Sequence, residues 1–332
     1  MGNRKAVLVG INYPGTQFAL RGCVNDVMAM KEVLVNNYGF TDPTQVKVLT
    51  DGQATTVNMI NHLEWLVGGS APGDVLFFHY SGHGSQLPDG SDADPEPDGL
   101  DEIICPIDLD WKAKVIRDDD LRRVFDKIPP GVSLTVVLDC CNSGGAMDQF
   151  NQYQPLGIGA AREILSEGEE FVNRYMPMPE HLMEEVRAYQ LQVKPSTMLT
   201  RSVQEIGMLI TGCQSQQTSA DAWIGGKYMG AATYYITQTM KEHNFDLDYK
   251  TLIDGVNNQI AAAGYTQRPE LNGNATLFTS KVLQPLGKSD GVDEGGVTPP
   301  VDDETVYEMD EGNFFSKIWN AIVGFFKKLF GR

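Results

Sequence analysis

One histidine and two adjacent cysteines follow two apolar runs of this sequence, and their residue types could do chemistry. The run DVLFFHY is followed by SGHGSQ, which sets His83 between two glycines. The run SLTVVLD is followed by CCNSGG, which sets Cys140 and Cys141 in the equivalent place. A thiol beside an imidazole is a nucleophile with its base, and flanking glycines let the backbone approach a substrate closely. The pattern predicts acyl transfer through a covalent intermediate.

The elements that must position these residues alternate along the chain. Short runs rich in apolar, β-branched and aromatic residues predict strands at 6–11, 46–49, 74–80, 133–139, 206–212 and 275–280. Helical patterns occur at 24–37, 57–67, 119–125, 229–241 and 249–263. Because nearly continuous apolar strands are buried on both faces, we expect an α/β fold with a mostly parallel central sheet flanked by helices. Ligands bind outside the carboxyl ends of such strands, where His83 and the cysteines are expected.

Composition limits the classes of partner. The 332 residues carry a formal net charge of −18, with 42% hydrophobic and 21% charged residues, which is ordinary for a globular protein. We expect no nucleic-acid partner, because phosphate binding needs clustered lysine and arginine. The charge is compatible with basic peptides or Ca²⁺ as partners, although solubility alone also accounts for it.

The cysteines and the apolar runs indicate a location. Five cysteines, an odd number with one adjacent pair, make a poor disulfide framework and suit a reducing cytoplasm. The N-terminal sequence becomes structured too soon for a signal peptide, and no apolar run reaches the length of about 18 residues that a membrane span requires. We therefore expect a cytoplasmic protein, and a monomer.

Three segments interrupt the alternation of strands and helices. Residues 86–99 form a polar loop rich in proline, glycine and aspartate, and residues 150–201 form a long insertion with two amphipathic helical patterns. Residues 286–312 form an acidic linker whose composition is typical of disorder. The expected organisation is one domain over residues 1–285, which includes the insertion, then the linker and a C-terminal segment over 313–332.

The C-terminal segment, NFFSKIWNAIVGFFKKLFGR, predicts an amphipathic helix. Its apolar residues recur at helical spacing: Phe315, Ile318, Trp319, Ile322, Phe326, Leu329 and Phe330. Such a helix docks onto its own domain, pairs with a partner or lies in a membrane interface, and the sequence leaves these alternatives open. Its basic residues would favour anionic lipid in the last case.

Taken together, the motifs resemble those of metacaspases, peptidases with the caspase-like fold. FHYSGHGSQ followed by VVLDCCNSGG carries the resemblance, and GCVNDV, DGLDEIICPID with IRDDDL, and TGCQSQQTSADA with GYTQRPEL extend it over residues 4–285. The resemblance implies a three-layer α/β/α fold and a cysteine endopeptidase with a dyad of His83 and Cys141. It selects Cys141 over Cys140, because the family's nucleophile is the third residue of a D-x-C motif. It also implies that the amides of Gly84 and Cys141 hold the oxyanion.

One position departs from the family pattern. Where the family usually has histidine after the nucleophile, this chain has Asn142. That residue is not the base, so we expect activity to survive. The alternative is a weakly active or inactive protein that acts as a calcium-responsive regulatory or binding protein.

The resemblance also implies a preference for Arg or Lys before the cleaved bond of protein and peptide substrates. Carried over to this chain, the pocket for that side chain comprises Cys23, Asp26, Ser81 and Asp139. Carboxylates in a partly desolvated pocket can hold a guanidinium through charge-assisted hydrogen bonds. The alternative makes Asp26 a solvated residue at a helix start and Asp139 a cap at a strand end.

A calcium site is a further implication of the resemblance. Asp101, Asp118, Asp119 and Asp148 match the acidic positions that bind Ca²⁺ in many metacaspases, and Asp120 could replace one of the pair at 118 and 119. Carboxylate oxygens gathered from several loops suit this ion. We expect Ca²⁺ as an activator, and the competing interpretation is a solvated acidic surface.

The insertion at 150–201 often covers the active site in this family and is cut during activation. Its basic residues are candidate self-cleavage points: Arg162, Arg174, Arg187, Lys194 and Arg201. We favour Lys194 and Arg201, because they lie in the least helical stretch.

Overall fold

The computed structural model describes residues 2–88, 100–141, 162–164, 170–182, 207–214 and 217–286. All of these residues belong to one compact unit, Met1–Val292. Asn142, Asp148, most of the insertion, nearly all of the predicted linker and the predicted C-terminal helix lie outside the described residues. None of the helices in these described ranges contains an apolar stretch of the length that a bilayer span needs.

A six-stranded sheet forms the centre of the domain. Its strands are β1 (Arg4–Gly10), β2 (Val46–Thr50), β3 (Val75–Ser81), β7 (Ser133–Asp139), β10 (Gly207–Thr211) and β13 (Glu270–Gly273). They lie in the order β13-β10-β7-β3-β1-β2. The first five strands in chain order pair in parallel, and β13 runs antiparallel to β10 at the edge. The predicted mostly parallel central sheet is confirmed.

Helices cover both faces of this sheet. The helices α1 (Cys23–Asn37), α4 (Ala231–Glu242) and α5 (Tyr249–Ala262) pack on one face, and α2 (Thr56–Val67) and α3 (Asp118–Phe125) pack on the other. Side chains alternate along a strand, so Leu8 joins Met30 of α1 in one core cluster while Val9 joins Met59 of α2 in the other. Because both faces are buried, the strands read as continuous apolar runs, and the α/β/α layering is as expected.

Two smaller sheets adjoin the central one. The first contains β4 (Gly84–Pro88), β5 (Leu100–Ile104) and β6 (Ile116–Arg117), all antiparallel. The second contains β8 (Arg162–Ile164), β9 (Glu170–Asn173), β11 (Ala220–Ile224) and β12 (Lys227–Gly230), in the order β12-β11-β9-β8. Here β9, which belongs to the insertion, pairs antiparallel with β11. Part of the insertion is therefore joined to the domain by strand pairing.

The strand predicted at 275–280 is wrong. That segment begins with a 3₁₀ turn, Ala275–Leu277, and the edge strand lies earlier, at Glu270–Gly273. Asn274 Oδ1 accepts hydrogen bonds from the Thr276 amide (3.0 Å) and hydroxyl, and such local side-chain bonding favours a turn over a strand. The true strand was missed because it is short, polar and preceded by proline, as edge strands often are.

The register of β3 and β7 decides where the two reactive residues lie. Ser81 at the end of β3 is paired with Asp139 at the end of β7. His83 and Cys141 each follow two residues beyond these paired positions. The backbones of His83 and Cys141 therefore leave the sheet at neighbouring positions of its carboxyl edge.

Candidate active site

Two tyrosines and a strand fix the backbone of His83. Its amide donates to Tyr13 Oη (3.2 Å), and its carbonyl accepts from Tyr80 Oη (2.7 Å) and from the Cys105 amide (3.0 Å). A side chain at Gly82 would bring its Cβ within 2.5 Å of Tyr80 Oη, so this turn requires glycine. The SGHG sequence is thus matched to a tight turn that holds the histidine in one position.

The ring of His83 is fully buried with its proton placed on one nitrogen. Nε2 lies 2.7 Å from the Phe18 carbonyl, which can only accept, so the neutral ring carries its proton there. Nδ1 has no hydrogen-bond partner and keeps a lone pair available as a base. Burial lowers the pKa of His83 to about 4, although the nearby carbonyls of Phe18 and Arg174 act in the opposite direction.

The two adjacent cysteines have different surroundings. Cys140 belongs to a large core cluster, whereas Cys141 packs against Tyr175 of the insertion. The Ser219 amide donates to Cys141 Sγ at 2.8 Å, which orients the thiol group. This difference agrees with the choice of Cys141 as the reactive thiol, because Cys140 points into packed apolar side chains.

The four predicted pocket residues converge beside the two reactive residues. Cys23, Asp26, Ser81 and Asp139 are all completely buried. Ser81 Oγ donates to Asp26 Oδ2 at 2.7 Å, and this bond links the end of β3 to the first turn of α1. Neither aspartate is solvated, so the alternatives of an exposed helix-start residue and a simple strand cap do not describe their surroundings.

The guanidinium of Arg174, from the insertion, fills this pocket and is itself completely buried. Its Nη2 atom donates to Asp26 Oδ2 (2.7 Å) and to Asp221 Oδ1 (3.0 Å). Its Nη1 atom donates to Ser81 Oγ (2.9 Å) and the Asp139 carbonyl (3.1 Å), and lies 3.2 Å from Asp139 Oδ1. Three carboxylates therefore surround one cation, and the two terminal nitrogens of the cation contact different acids.

This arrangement shifts the pKa values of Asp26 and Asp139 in opposite directions. Burial raises the pKa of Asp26 to about 7, and the Arg174 charge only partly offsets it. Burial also acts to raise the pKa of Asp139, but the Arg174 charge and hydrogen bonds from Ser219 and Thr233 outweigh it and leave that pKa below its usual value. Because three buried acids line the pocket, its negative charge favours binding of a cation such as the Arg174 guanidinium.

The backbone carbonyl of Arg174 contacts the two predicted oxyanion donors. Its oxygen accepts from the Gly84 amide at 3.0 Å and from the Cys141 amide at 3.2 Å. Two amides aimed at one carbonyl oxygen can stabilise the negative charge that develops there when a nucleophile attacks the carbon. The predicted site residues 83, 84 and 141 thus surround one peptide group of the insertion.

Sequence reasoning missed several residues of this site. Asp221 is the third acid, and Thr233 and Ser219 orient Asp139 and Cys141. Asp221 lies in the TSADA motif that contributed to the family resemblance. The motif was therefore noticed, but no function was predicted for its aspartate. Gly230 left no such signal, yet a Cβ there would lie 2.3 Å from Arg174 Nη1 and would obstruct the pocket.

The predicted calcium ligands are brought together only in part. Asp101 accepts a hydrogen bond from Arg117 Nε, and Asp118 Oδ1 is buried without a partner. Burial, together with the charges of Asp101 and Asp119, raises the pKa of Asp118 to about 7. In the described part of the chain no group of three acidic, histidine or cysteine residues has the geometry of a metal site, and Asp148 lies outside it.

Asp120, the substitute proposed for one of these ligands, has other partners. It accepts from the Arg117 amide at 3.0 Å and pairs with Arg123 at 3.0 Å, which makes it a cap of α3. An unpaired buried oxygen next to a second buried carboxylate fits a hard cation. The chemistry of Asp101 and Asp118 is therefore compatible with Ca²⁺.

A thiol, an imidazole and two convergent amides at the carboxyl edge of a parallel sheet define a cysteine peptidase of the α/β class. Comparison with known proteins identifies the family. The sequence-family model for the metacaspase peptidase C14 domain matches residues 4–150 of this chain. Metacaspase-1 of Schizosaccharomyces pombe is 33% identical over 300 residues, which cover 82% of this chain and 67% of that protein.

Further similarities agree with this match. Metacaspase-1A of Aspergillus fumigatus is 34% identical over 296 residues, covering 84% of this chain and 70% of that protein. A crystal structure of a Geobacter sulfurreducens protein shares the fold, with a TM-score of 0.58 and 22% identity over 86% of this chain and all of that one. The chain belongs to the metacaspase family, has its caspase-like fold and is a cysteine endopeptidase.

The buried carboxyl group of Asp118 predicts that the effect of Asp118→Asn on the free energy of unfolding depends on pH. The measurement is made with a chelator present and without divalent cations. Because the pKa of Asp118 rises from 3.8 to about 7 on folding, its contribution to stability is present below 3.8 and lost as the pH rises through 7. Asparagine has no charge to bury. The free energy of unfolding of the variant, relative to wild type, should therefore increase from about pH 5 to about pH 8 in urea titrations.

The control for this experiment is Asp126→Asn, which removes an exposed carboxylate from the end of the same helix. It reports the effect of losing one negative charge from a surface position. An equal stability difference between Asp118→Asn and wild type at both pH values would contradict the prediction.

Proposed function

We propose that this endopeptidase cleaves after Arg, and less readily after Lys, with Cys141 as nucleophile and His83 as base. We further propose that Ca²⁺ activates it and that it processes itself. The observation that supports the specificity is the Arg174 side chain held by three buried carboxylates. The carbonyl of the same residue meets the amides of Gly84 and Cys141.

The chemistry follows from these positions. His83 Nδ1 accepts the proton of the Cys141 thiol, and the sulfur attacks the carbonyl carbon of the residue in the acidic pocket. The amides of Gly84 and Cys141 stabilise the oxygen as it becomes negative. His83 then gives its proton to the leaving amine, and water hydrolyses the thioester to release the new carboxyl terminus and the free thiol.

The contacts of Arg174 support a preference for Arg over Lys. Nη1 and Nη2 bind on different sides of the pocket, to Asp139 and Ser81 on one side and to Asp26 and Asp221 on the other. A planar guanidinium spans these groups, whereas the single ammonium of lysine is a point charge that cannot reach both sides equally.

Hydrolysis of three matched peptides tests the function. Their sequence Phe-Val-Asn-X is copied from residues 171–173, with X as Arg, Lys or Asp before a fluorogenic leaving group. In the presence of Ca²⁺ we expect kcat/KM to be about tenfold higher for Arg than for Lys, because part of a charge-assisted hydrogen-bond set is lost. The Asp peptide should not be cleaved.

Cys141→Ala should abolish cleavage of all three peptides while near-UV circular dichroism remains unchanged. Full activity of this variant, or cleavage of the Asp peptide alone, would refute the proposal. A calcium-dependent change in shape without any hydrolysis by the wild type would instead favour the regulatory alternative.

Asp221→Asn tests the third acid of the pocket. The change removes a charge that accepts from the guanidinium and leaves one oxygen, which can replace only one of the two carboxylate oxygens that now accept from the Arg21 and Gly22 amides. Loss of one charge-assisted bond in a buried pocket should lower kcat/KM for the Arg peptide about tenfold to a hundredfold, and lower it less for the Lys peptide. Asp254→Asn, on the exposed surface of α5, is the control. An unchanged Arg-to-Lys ratio would exclude a role for Asp221 in specificity.

Activation by calcium is supported by the buried, unpaired oxygen of Asp118 beside Asp101. A cation bound by these residues would neutralise their mutual repulsion. We expect Ca²⁺, and not Mg²⁺ at the same concentration, to raise the thermal midpoint of the wild type, because Ca²⁺ tolerates irregular sets of oxygen ligands. Asp118→Asn should lose this shift, and Asp126→Asn should keep it. A calcium shift of the same size in all three proteins would place the ion elsewhere.

A further inference from the structure

Residues 171–176 cross the active site in the way that a peptide substrate would. On one side, β9 pairs with β11, and the Arg174 amide continues the pairing by donating to the Ser219 carbonyl at 3.0 Å. On the other side, the Met176 amide donates to the Gly84 carbonyl at 3.0 Å, in a parallel bridge between Gly84 and Tyr175. Main-chain pairing of an extended segment to exposed strand edges is a common mode of peptide recognition.

This segment closes the site to other substrates. His83, Cys141, Asp26 and Asp139 have no exposed surface. The residues that follow Arg174 contribute to this closure, since Tyr175 packs against Cys141 and Met176 and Met178 are buried in neighbouring clusters of the domain. A peptide from outside could reach neither the thiol nor the acidic pocket while these residues remain in place.

The Arg174 side chain makes specific hydrogen bonds in the pocket, beyond simply filling its volume. Four hydrogen bonds, one to a backbone carbonyl, hold the two terminal nitrogens of Arg174. On the next residue, Tyr175 packs against Cys141. The peptide group between Arg174 and Tyr175 is therefore the one whose carbonyl oxygen the two amides hold and whose next residue lies against Cys141.

We propose that, within the insertion that covers the site, the Arg174–Tyr175 peptide bond is the one that this enzyme cleaves in its own chain. This inference rests on the proposed function. It differs from the expectation that cleavage follows Lys194 or Arg201, both of which lie outside the described residues. That expectation came from low helical character, whereas Arg174 is selected by its contacts.

The chemical step is that of the proposed mechanism applied within one molecule. Cys141 Sγ forms a thioester with the Arg174 carbonyl carbon as the bond to the Tyr175 nitrogen breaks. The thiol proton passes through His83 to the Tyr175 amine. Water then hydrolyses the thioester, which leaves a carboxylate on Arg174, an amino terminus on Tyr175 and a free thiol on Cys141.

Fragment analysis of the full chain tests this assignment. Purified protein is incubated with Ca²⁺, and the fragments are identified by intact mass and by N-terminal sequencing. We expect a new fragment that begins at Tyr175. Arg174→Gln should abolish this fragment, Arg174→Lys should slow its formation about tenfold because lysine spans the pocket less well, and Arg187→Gln, a matched change in the insertion, should leave it unchanged.

The fluorogenic Arg peptide, assayed on the same samples, separates failure of this inference from failure of the proposed function. If the peptide is hydrolysed while fragments begin only after other residues and the Arg174–Tyr175 bond stays intact, the inference is overturned and the proposed function stands. If neither the peptide nor the chain is cut by any sample, both are overturned.

A mixing experiment tests whether the cleavage is intramolecular. Full-length Cys141→Ala carries Arg174 buried in its own pocket, so active wild type added in trace amount should not cut it at Tyr175. In the wild type alone, the rate constant for fragment formation should not change with protein concentration. Cleavage of Cys141→Ala at this bond at the wild-type rate would overturn the intramolecular model.

Discussion

The structure depends on the interaction of one buried guanidinium with three buried carboxylates. Asp26 comes from α1, Asp139 from the end of β7 and Asp221 from β11, so the Arg174 side chain joins three elements that are distant in sequence. Buried charges are tolerated only when they are paired and hydrogen-bonded, and loss of one partner from a buried pair typically costs about 3–5 kcal/mol. The packing of α1, β7 and β11 around the pocket is therefore stabilised by a cation bound to the three acids, here the Arg174 guanidinium.

The same burial governs the reactive residues. His83 is held neutral, with its pKa lowered by desolvation, and its single proton is directed to the Phe18 carbonyl. A neutral imidazole with a free lone pair on Nδ1 is in the correct state to accept a proton from a thiol. The described part of the insertion covers the buried thiol and imidazole and leaves Nδ1 of His83 without a hydrogen-bond partner, as the proposed cleavage of this chain by its own site requires.

Much of the fold could be predicted from the sequence, because buried parallel strands leave a strong pattern. The apolar runs that became β1, β3 and β7 are covered by helices on both faces, and polar residues begin where the strands end. The edge of the sheet was predicted less well. The segment 275–280 has apolar residues but forms a local turn, whereas β13 is short and polar and gains its conformation from pairing with β10.

For the site, the sequence alone determined which residues are chemically capable: a histidine and a cysteine in glycine-rich turns, and acids in motifs that resemble a peptidase family. It could not determine that the insertion supplies Arg174 to the pocket, that Asp221 is its third acid, or that Gly230 must lack a side chain. Each of these depends on contacts between residues from 35 to 204 positions apart, for which no local periodicity or spacing exists. Only the tertiary structure decided them, because electrostatic pairing and close packing act through space and not along the chain.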